Sequence, residues 1–92
     1  MREEDLITII ALHDNQNITK AAESLYMSQP TLTKQLRRIE NELGVQLVVR
    51  SNRGISFTPQ GEYCAERARA IVRELADMRR ELLAMGGDNA DQ

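Results

Sequence analysis

The feature that most constrains the fold is a regular apolar stripe in the last third of the chain. Its members alternate at spacings of four and three residues, and they are Cys64, Ala68, Ile71, Leu75, Met78, Leu82 and Met85. This spacing places them along one side of a single α-helix, as in a coiled coil. Because a lone helix cannot bury such a stripe, we expect these residues to form a dimer interface with a second copy of the chain.

The helix that carries this stripe is predicted to run from Pro59 to about Met85, roughly 40 Å at ~1.5 Å per residue. Thr58 is predicted to cap it, with proline at the first helical position. Residues 86–92 show no periodicity and are predicted to form a flexible end. The remaining residues, 1–58, have room for one small domain.

The small domain carries the patterns of three helices. A first helix is predicted over 3–13, where apolar residues recur at helical spacing. Asn17 is predicted to cap a short second helix that ends near Leu25. Ser28 is predicted to cap a third helix, which Gly44 ends. The predicted buried stripe of the third helix is Leu32, Leu36, Ile39 and Leu43.

A β-hairpin is predicted to follow the third helix. Val45–Arg50 is short and rich in valine, 51–54 has turn composition, and Ile55–Phe57 alternates as a returning strand. The hairpin would display Arg53 at its tip. A helix-turn-helix over 18–37 followed by this wing, 45–57, makes the predicted fold a mainly α winged helix-turn-helix with a long C-terminal dimerisation helix.

Charge is unevenly distributed along the chain. The net charge of the 92 residues is −2, which argues at first against nucleic acid, because nucleic-acid-binding domains are usually basic. Residues 29–54, however, carry five basic residues against two acids. A local positive patch can attract an anion even when the total charge is negative. The sequence therefore keeps DNA as a candidate partner.

The polar face of the third helix is predicted to enter the major groove of duplex DNA, which admits one α-helix. Gln29 can pair with adenine, Lys34 with guanine, and Pro30 can contact a thymine methyl group. Thr31 and Arg37 are better placed for phosphates, and the wing-tip arginine for a narrow minor groove. The predicted DNA-binding residues are Gln29, Pro30, Thr31, Thr33, Lys34, Arg37, Arg50 and Arg53.

Four segments in one order make the sequence resemble the LysR-type transcriptional regulators. They read NITKAAESL from Asn17, SQPTLTKQLRRIENELG from Ser28, LVVR from Leu47 and FTPQG from Phe57. The resemblance covers residues 1 to about 85. It implies that 18–37 is the helix-turn-helix and that the helix from residue 59 is a linker helix that pairs between subunits. The residues that match the family's DNA-contacting positions are Gln29, Pro30, Thr33, Lys34 and Arg53.

The resemblance also implies a function. A dimer joined through its linker helices would bind an interrupted palindrome in double-stranded DNA and regulate bacterial transcription. Family members continue into a large domain that binds a small-molecule effector, whereas this chain ends at Gln92. We favour a fragment over a natural short version, and we expect an effector only if such a domain exists. Assembly beyond the dimer stays open.

Other classes of function find little support in the sequence. The single cysteine, Cys64, allows no intramolecular disulfide and indicates the cytoplasm, and no apolar run is long enough to span a membrane. His13 has no neighbours at metal-ligand spacing and is predicted to cap the end of the first helix. The arginines of the last helix alternate with acids and are predicted to form a salt-bridged surface. We expect no catalytic residues, no metal and no cofactor.

A competing interpretation is a winged-helix module that docks proteins without binding specific DNA, since a fold does not settle function. The acidic net charge supports it. A steep fall of affinity with salt would favour DNA, because phosphate contacts release counterions.

Overall fold

The computed structural model describes residues 1–89, in which four helices and one hairpin follow each other in the predicted order. The elements are α1 (Glu3–Asn15), α2 (Ile18–Ser24), α3 (Gln29–Leu43), β1 (Val48–Ser51), β2 (Gly54–Phe57) and α4 (Pro59–Asn89). The mainly α winged helix-turn-helix with a long C-terminal helix is thereby confirmed. Within residues 1–89, no helix has the length and apolar character that crossing a membrane requires.

The helix ends follow from local chemistry. Side-chain oxygens of Asn17, Ser28 and Thr58 each accept a hydrogen bond from the backbone N–H three residues later, at 2.8, 3.2 and 2.9 Å. Such caps satisfy donors that have no partner inside the helix. Gly44 ends α3 with a φ of 74°, a left-handed conformation in which glycine has no Cβ clash. The predicted caps at Asn17, Ser28, Thr58 and Gly44 are confirmed.

One core joins the three short helices, the wing and the start of α4. Its buried apolar side chains are Leu6, Ile9, Leu12, Ile18, Ala21, Ala22, Leu32, Leu36, Ile39, Leu47, Val48, Ile55, Ala65 and Ala68. Three of the four residues of the predicted α3 stripe belong to it. The prediction was wrong for Leu43, which is 40% exposed. As the last residue of α3, it lies past the core and lines a surface hollow with Val45 and Tyr63.

The wing is a two-stranded antiparallel hairpin that begins later than predicted. Val48 pairs with Phe57, and only Asn52 and Arg53 separate the strands. The predicted start of the strand at Val45 was wrong, because Glu40 of α3 binds the backbone of the residues that lead into the observed strand. The Oε2 atom of Glu40 accepts the backbone N–H of Leu47 at 2.7 Å and that of the following residue at 3.3 Å. The wing is therefore anchored directly to α3.

The first turn of α4 packs tightly against the wing. A Cβ placed on Gly61 would lie 2.0 Å from the carbonyl oxygen of Leu47. Only glycine, which has no side chain, allows this approach. Beyond it, α4 runs antiparallel to α1, and ion pairs join the two helices near both ends of α1: Asp14 with Arg69 at 2.5 Å and Glu3 with Arg79 at 2.9 Å.

The stripe on α4 divides into a covered part and an open part. Ala68, predicted at the dimer interface, is 1% exposed because it packs in the core of its own subunit, so it is not free to meet a second chain. Cys64 and Leu75 are partly buried. The open members are Ile71, Met78, Leu82 and Met85, which are 43 to 67% exposed.

The end of α4 also differs from the prediction. The helix continues from Met85 to Asn89, so 86–89 is helical rather than a flexible end. Two glycines there cost a helix only about 1 kcal/mol each, which lowers helix propensity without ending the helix. Residues 90–92, the rest of the predicted flexible end, lie outside the described residues.

Candidate nucleic-acid interface

The leading turns of α3 present a polar face to solvent. Gln29, Pro30, Lys34 and Arg37 are exposed, and Thr33 is half-buried beside them. They occupy the side of α3 opposite the buried stripe, as i, i+3 and i+4 spacing dictates. The structure therefore brings these predicted residues together on one surface, which we call the reading face.

The start of α3 is fixed by hydrogen bonds to its neighbours. The hydroxyl of Ser28 donates to Oγ1 of Thr31 at 2.8 Å, so the threonine predicted for phosphate contact takes part in the helix cap. Thr19 of α2 donates to Oε1 of Gln29 at 3.3 Å. The two helices of the helix-turn-helix are therefore joined at the end of α3 that carries the reading face.

The wing lies against the same surface. Nη2 of Arg50 donates to Oγ1 of Thr33 at 2.7 Å, so the first strand is bonded to α3. Arg53 is exposed at the tip of the hairpin. A polar groove of about 370 Å³ separates the tip from the starts of α2 and α3. Its lining includes Asn17, Thr19, Gln29, Arg50, Asn52 and Arg53.

Sequence reasoning missed part of this groove. Asn17 was predicted only as a helix cap, and neither Thr19 nor Asn52 was predicted at the site. All three are short polar residues next to a helix start or a turn, and such residues are common in any loop. Their position beside Gln29 follows from the tertiary packing of the wing against the helix-turn-helix.

The positive charge of the reading face is not neutralised by the surrounding protein. Among the side chains that the structure describes, in residues 1–86, no carboxylate lies within 4.0 Å of the charged groups of Lys34, Arg37 or Arg53. Arg38, in contrast, contacts Asp5 at 2.5 Å and Glu42 at 3.4 Å. The residues that face outward therefore keep their charge available for an anionic partner.

A buried carboxylate lies behind this surface. Asp5 of α1 is 0% exposed. Burial raises the pKa of its carboxyl group, but hydrogen bonds from the Arg2 backbone N–H and from the Gln35 and Arg38 side chains outweigh that effect and hold the pKa below its ordinary value. Asp5 was not singled out in the sequence analysis. Its spacing from Leu12 and Ile9, which puts it on the core-facing side of α1, was the available signal.

The structure also shows the surroundings of His13 and Cys64, and the prediction for His13 was wrong. His13 does not cap carbonyl groups: its Nε2 contacts Oε1 of Glu62 at 2.6 Å, and its Nδ1 lies 3.2 Å from Arg69 Nη2. It therefore links α1 to α4, because the end of α1 lies beside the first turns of the antiparallel α4. Cys64 is partly buried as expected, and burial raises the pKa of its thiol, which disfavours the reactive thiolate.

Among the described side chains, three of the five arginines of α4 form ion pairs, and two of these three pair with another helix. Arg80 pairs with Asp77 on α4 itself, as predicted, whereas Arg69 and Arg79 pair with acids of α1. These pairs fasten the helix to the domain. In the described part of the chain, no group of three or more metal-ligating side chains is close enough to hold an ion.

Comparison with known proteins agrees with this architecture. Residues 4–62 match the family described as "Bacterial regulatory helix-turn-helix protein, lysR family". The uncharacterized HTH-type transcriptional regulator YraN of Bacillus subtilis is 42% identical over 77 residues, which are 84% of this chain and 27% of that protein. The DNA-binding transcriptional dual regulator OxyR of Escherichia coli is 40% identical over 75 residues, 82% of this chain and 25% of that protein.

Two solved structures are similar to this chain in both fold and sequence. The CbnR_DBD–DNA complex superposes with a TM-score of 0.90 at 35% identity, covering 94% of this chain and 99% of that one. The BenM_DBD/benA site 1 DNA complex gives 0.89 at 30% identity, covering 94% and 97%. The chain spans about a quarter of the length of the curated relatives it matches, but nearly all of these two structures.

Proposed function

Because this chain belongs to the LysR family of bacterial regulatory helix-turn-helix proteins, we propose that it binds duplex DNA sequence-specifically, as part of a transcriptional regulator that acts in the cytoplasm. The observation that carries this proposal is the reading face: an exposed surface of α3 that includes the cations Lys34 and Arg37, which pair with no carboxylate among the described side chains, and that lies beside an arginine-tipped wing. This role is one of binding and requires no catalytic group.

In the proposed complex, the leading turns of α3 lie in the major groove and the wing lies over the adjacent minor groove. Gln29 and Lys34 present amide and ammonium groups to base edges, and Pro30 presents an apolar ring. Arg37 neutralises a phosphate, and Arg53 enters the minor groove. Arg50, already bonded to Thr33, contacts the DNA backbone from the first strand of the wing.

A homodimer completes the proposal. The open members of the α4 stripe, Ile71, Met78, Leu82 and Met85, are apolar and 43 to 67% exposed. Covering them with a second copy removes apolar surface from water and presents two reading faces to two half-sites of an interrupted palindrome.

The test begins with selection of bound duplexes from a random DNA pool at moderate salt. We expect enrichment of a palindrome with two short arms, and an affinity that falls steeply as salt rises, because each neutralised phosphate releases counterions. A folded, dimeric chain that enriches no sequence would contradict the proposal.

Two substitutions on the reading face separate base contacts from phosphate contacts. Lys34→Ala should cost about 1–3 kcal/mol on the selected site and relax base preference locally. Arg37→Ala should weaken selected and scrambled DNA alike and reduce the salt slope by about one. Titrations of both variants on both duplexes, at two or more salt concentrations, measure these effects. Equal losses on the two duplexes for Lys34→Ala would refute its assignment to bases.

A protein-docking module is the second candidate, and two observations favour it. The net charge is −2, and Leu43, Val45 and Tyr63 form an apolar hollow at the start of α4. Salt-insensitive binding to a protein, without affinity for DNA, would support docking.

A further inference from the structure

Three polar side chains join α1 to the flank of α3 around one buried carboxylate. Oδ1 of Asp5 accepts from Nε2 of Gln35 at 3.1 Å and from Nη2 of Arg38 at 2.5 Å. Oε1 of Gln35 in turn accepts from the hydroxyl of Thr8 at 3.1 Å. Asp5 and Thr8 are 0% and 2% exposed. We call these four residues the α1–α3 polar cluster.

The cluster lies at one edge of the reading face. Arg38 follows Lys34 by four residues, so the two side chains are neighbours on the surface of α3. At the opposite edge, Thr33 accepts the hydrogen bond from Arg50 of the wing. The reading face is therefore held between two polar attachments, one to α1 and one to β1.

Such attachments matter because a small roll of α3 about its axis would displace the side chains that reach the DNA. With side chains extending about 5 Å from the helix axis, a roll of ~10° moves a side-chain tip by roughly 1 Å. That shift is large enough to disrupt a hydrogen bond to a base edge. The hydrophobic driving force on the α3 stripe is non-directional, whereas the hydrogen bonds of the α1–α3 polar cluster require one orientation of α3 against α1.

We propose that Asp5 is a positioning residue for DNA recognition: its buried carboxylate holds Gln35 and Arg38 and so sets the rotation of α3 against α1. A buried charge pair adds little net stability compared with an apolar replacement, and one function such pairs can serve is to select a single packing arrangement. Asp5 itself does not touch DNA in this arrangement, and Arg38 is committed to the cluster. The expected effect on DNA recognition rests on the proposed function. The effect of Asp5 on the orientation of α3 does not depend on it.

The direct test is amide hydrogen exchange in the free protein, with Asp5→Asn compared with wild type. We expect exchange in the middle of α3, residues 33–40, to become at least about fivefold faster, while amides in the middle of α4 keep their rates, because local opening is governed by local contacts. The matched control is Glu4→Gln, which removes the same charge from the neighbouring, exposed position of α1. Unchanged α3 rates, or a uniform increase over all helices, would overturn the proposal.

A second variant keeps the proposal testable if Asp5→Asn does not fold. Gln35→Ala removes the bonds to Thr8 and to Asp5 Oδ1 but leaves the Arg38 pair in place. We expect the same local increase of exchange in α3, to a smaller extent. If Gln35→Ala folds and leaves α3 as protected as in wild type, the proposal is wrong.

The DNA readout compares affinities for selected and scrambled duplexes at a temperature where each variant is folded. We expect Asp5→Asn to lower the ratio of the two affinities about fivefold, and to leave the salt slope within ~0.5 of wild type, since no phosphate contact is lost. A ratio equal to that of Glu4→Gln would contradict the proposed role. If wild type itself does not discriminate between the duplexes, the proposed function is wrong. The hydrogen-exchange result would then still test whether Asp5 fixes the orientation of α3.

Discussion

The chain contains two apolar stripes of nearly the same pattern, and its own subunit covers most of the stripe on α3 but only part of the stripe on α4. Leu32, Leu36 and Ile39 of α3 are at most 4% exposed, whereas Met78 and Leu82 of α4, also four residues apart, are 51% and 55% exposed. Spacing determines which residues share one side of a helix. What covers that side depends on how the helix is placed. The helices α1 and α2 pack against the stripe of α3, whereas α4 packs against α1 through residues that include Ala65 and Val72 and leaves the later part of its stripe open.

The largest effect should come from matched leucine truncations in the two stripes. Leu32→Ala should lower the free energy of unfolding by about 2–5 kcal/mol, because it leaves a cavity in a closed core. Leu82→Ala should leave the unfolding of a dilute sample nearly unchanged and instead weaken self-association. Denaturant titration, with light scattering over a range of concentrations, measures both. Equal destabilisation of dilute samples would mean that the subunit already covers the α4 stripe.

Two glycines of α4 provide the next comparison. Gly61→Ala should destabilise the fold by about 1–3 kcal/mol, because the new Cβ would overlap the Leu47 carbonyl oxygen. Gly86→Ala has open space around it and should stabilise the helix by about 0.5–1 kcal/mol, since alanine has the higher helix propensity. Thermal unfolding by circular dichroism distinguishes the two. If both variants were equally tolerated, α4 would not be seated against the wing as described.

The smallest effect concerns pH and the boundary between α1 and α3. The pKa of Asp5 is lowered in the folded state, so its charged form stabilises the fold above its ordinary value of about 3.9 and that stabilisation is lost as pH falls through the lower, folded value. Melting temperatures of wild type and Asp5→Asn should therefore differ at pH 7 and converge toward pH 3. Glu4→Gln serves as the control. A difference at pH 3 as large as that at pH 7 would show that packing, not charge, separates the two proteins.

The elements of the fold were largely predictable, because their signals are local. Caps at Asn17, Ser28 and Thr58 act on donors three residues away, and a left-handed glycine ends α3 at the predicted position. Two of the errors occur where a residue of another element intervenes. Glu40 delays the first strand, and His13 pairs with Glu62, 49 residues away, instead of capping its own helix.

The candidate site, too, was predictable from the sequence only where the signals are local. The side of α3 that would meet DNA could be derived from periodicity, because Gln29, Lys34 and Arg37 follow from the caps and the buried stripe. Two sets of contacts could not be derived in this way: the hydrogen bond from Arg50 to Thr33, and the hydrogen bonds that Asp5 accepts from α3. Each joins residues that are far apart in the chain and meet only after the core has formed.

By itself, the sequence determined the order of the elements, the helix ends that carry a capping residue, the exposed face of α3 and the apolar stripe of α4, because these depend on spacing and on bonds within one turn. Only the tertiary structure decided that Ala68 belongs to the subunit core, that Leu43 does not, and which acids neutralise which arginines. The physical reason is that burial and ion pairing are properties of surfaces in contact. Which surfaces meet depends on how α1 packs across α3 and α4.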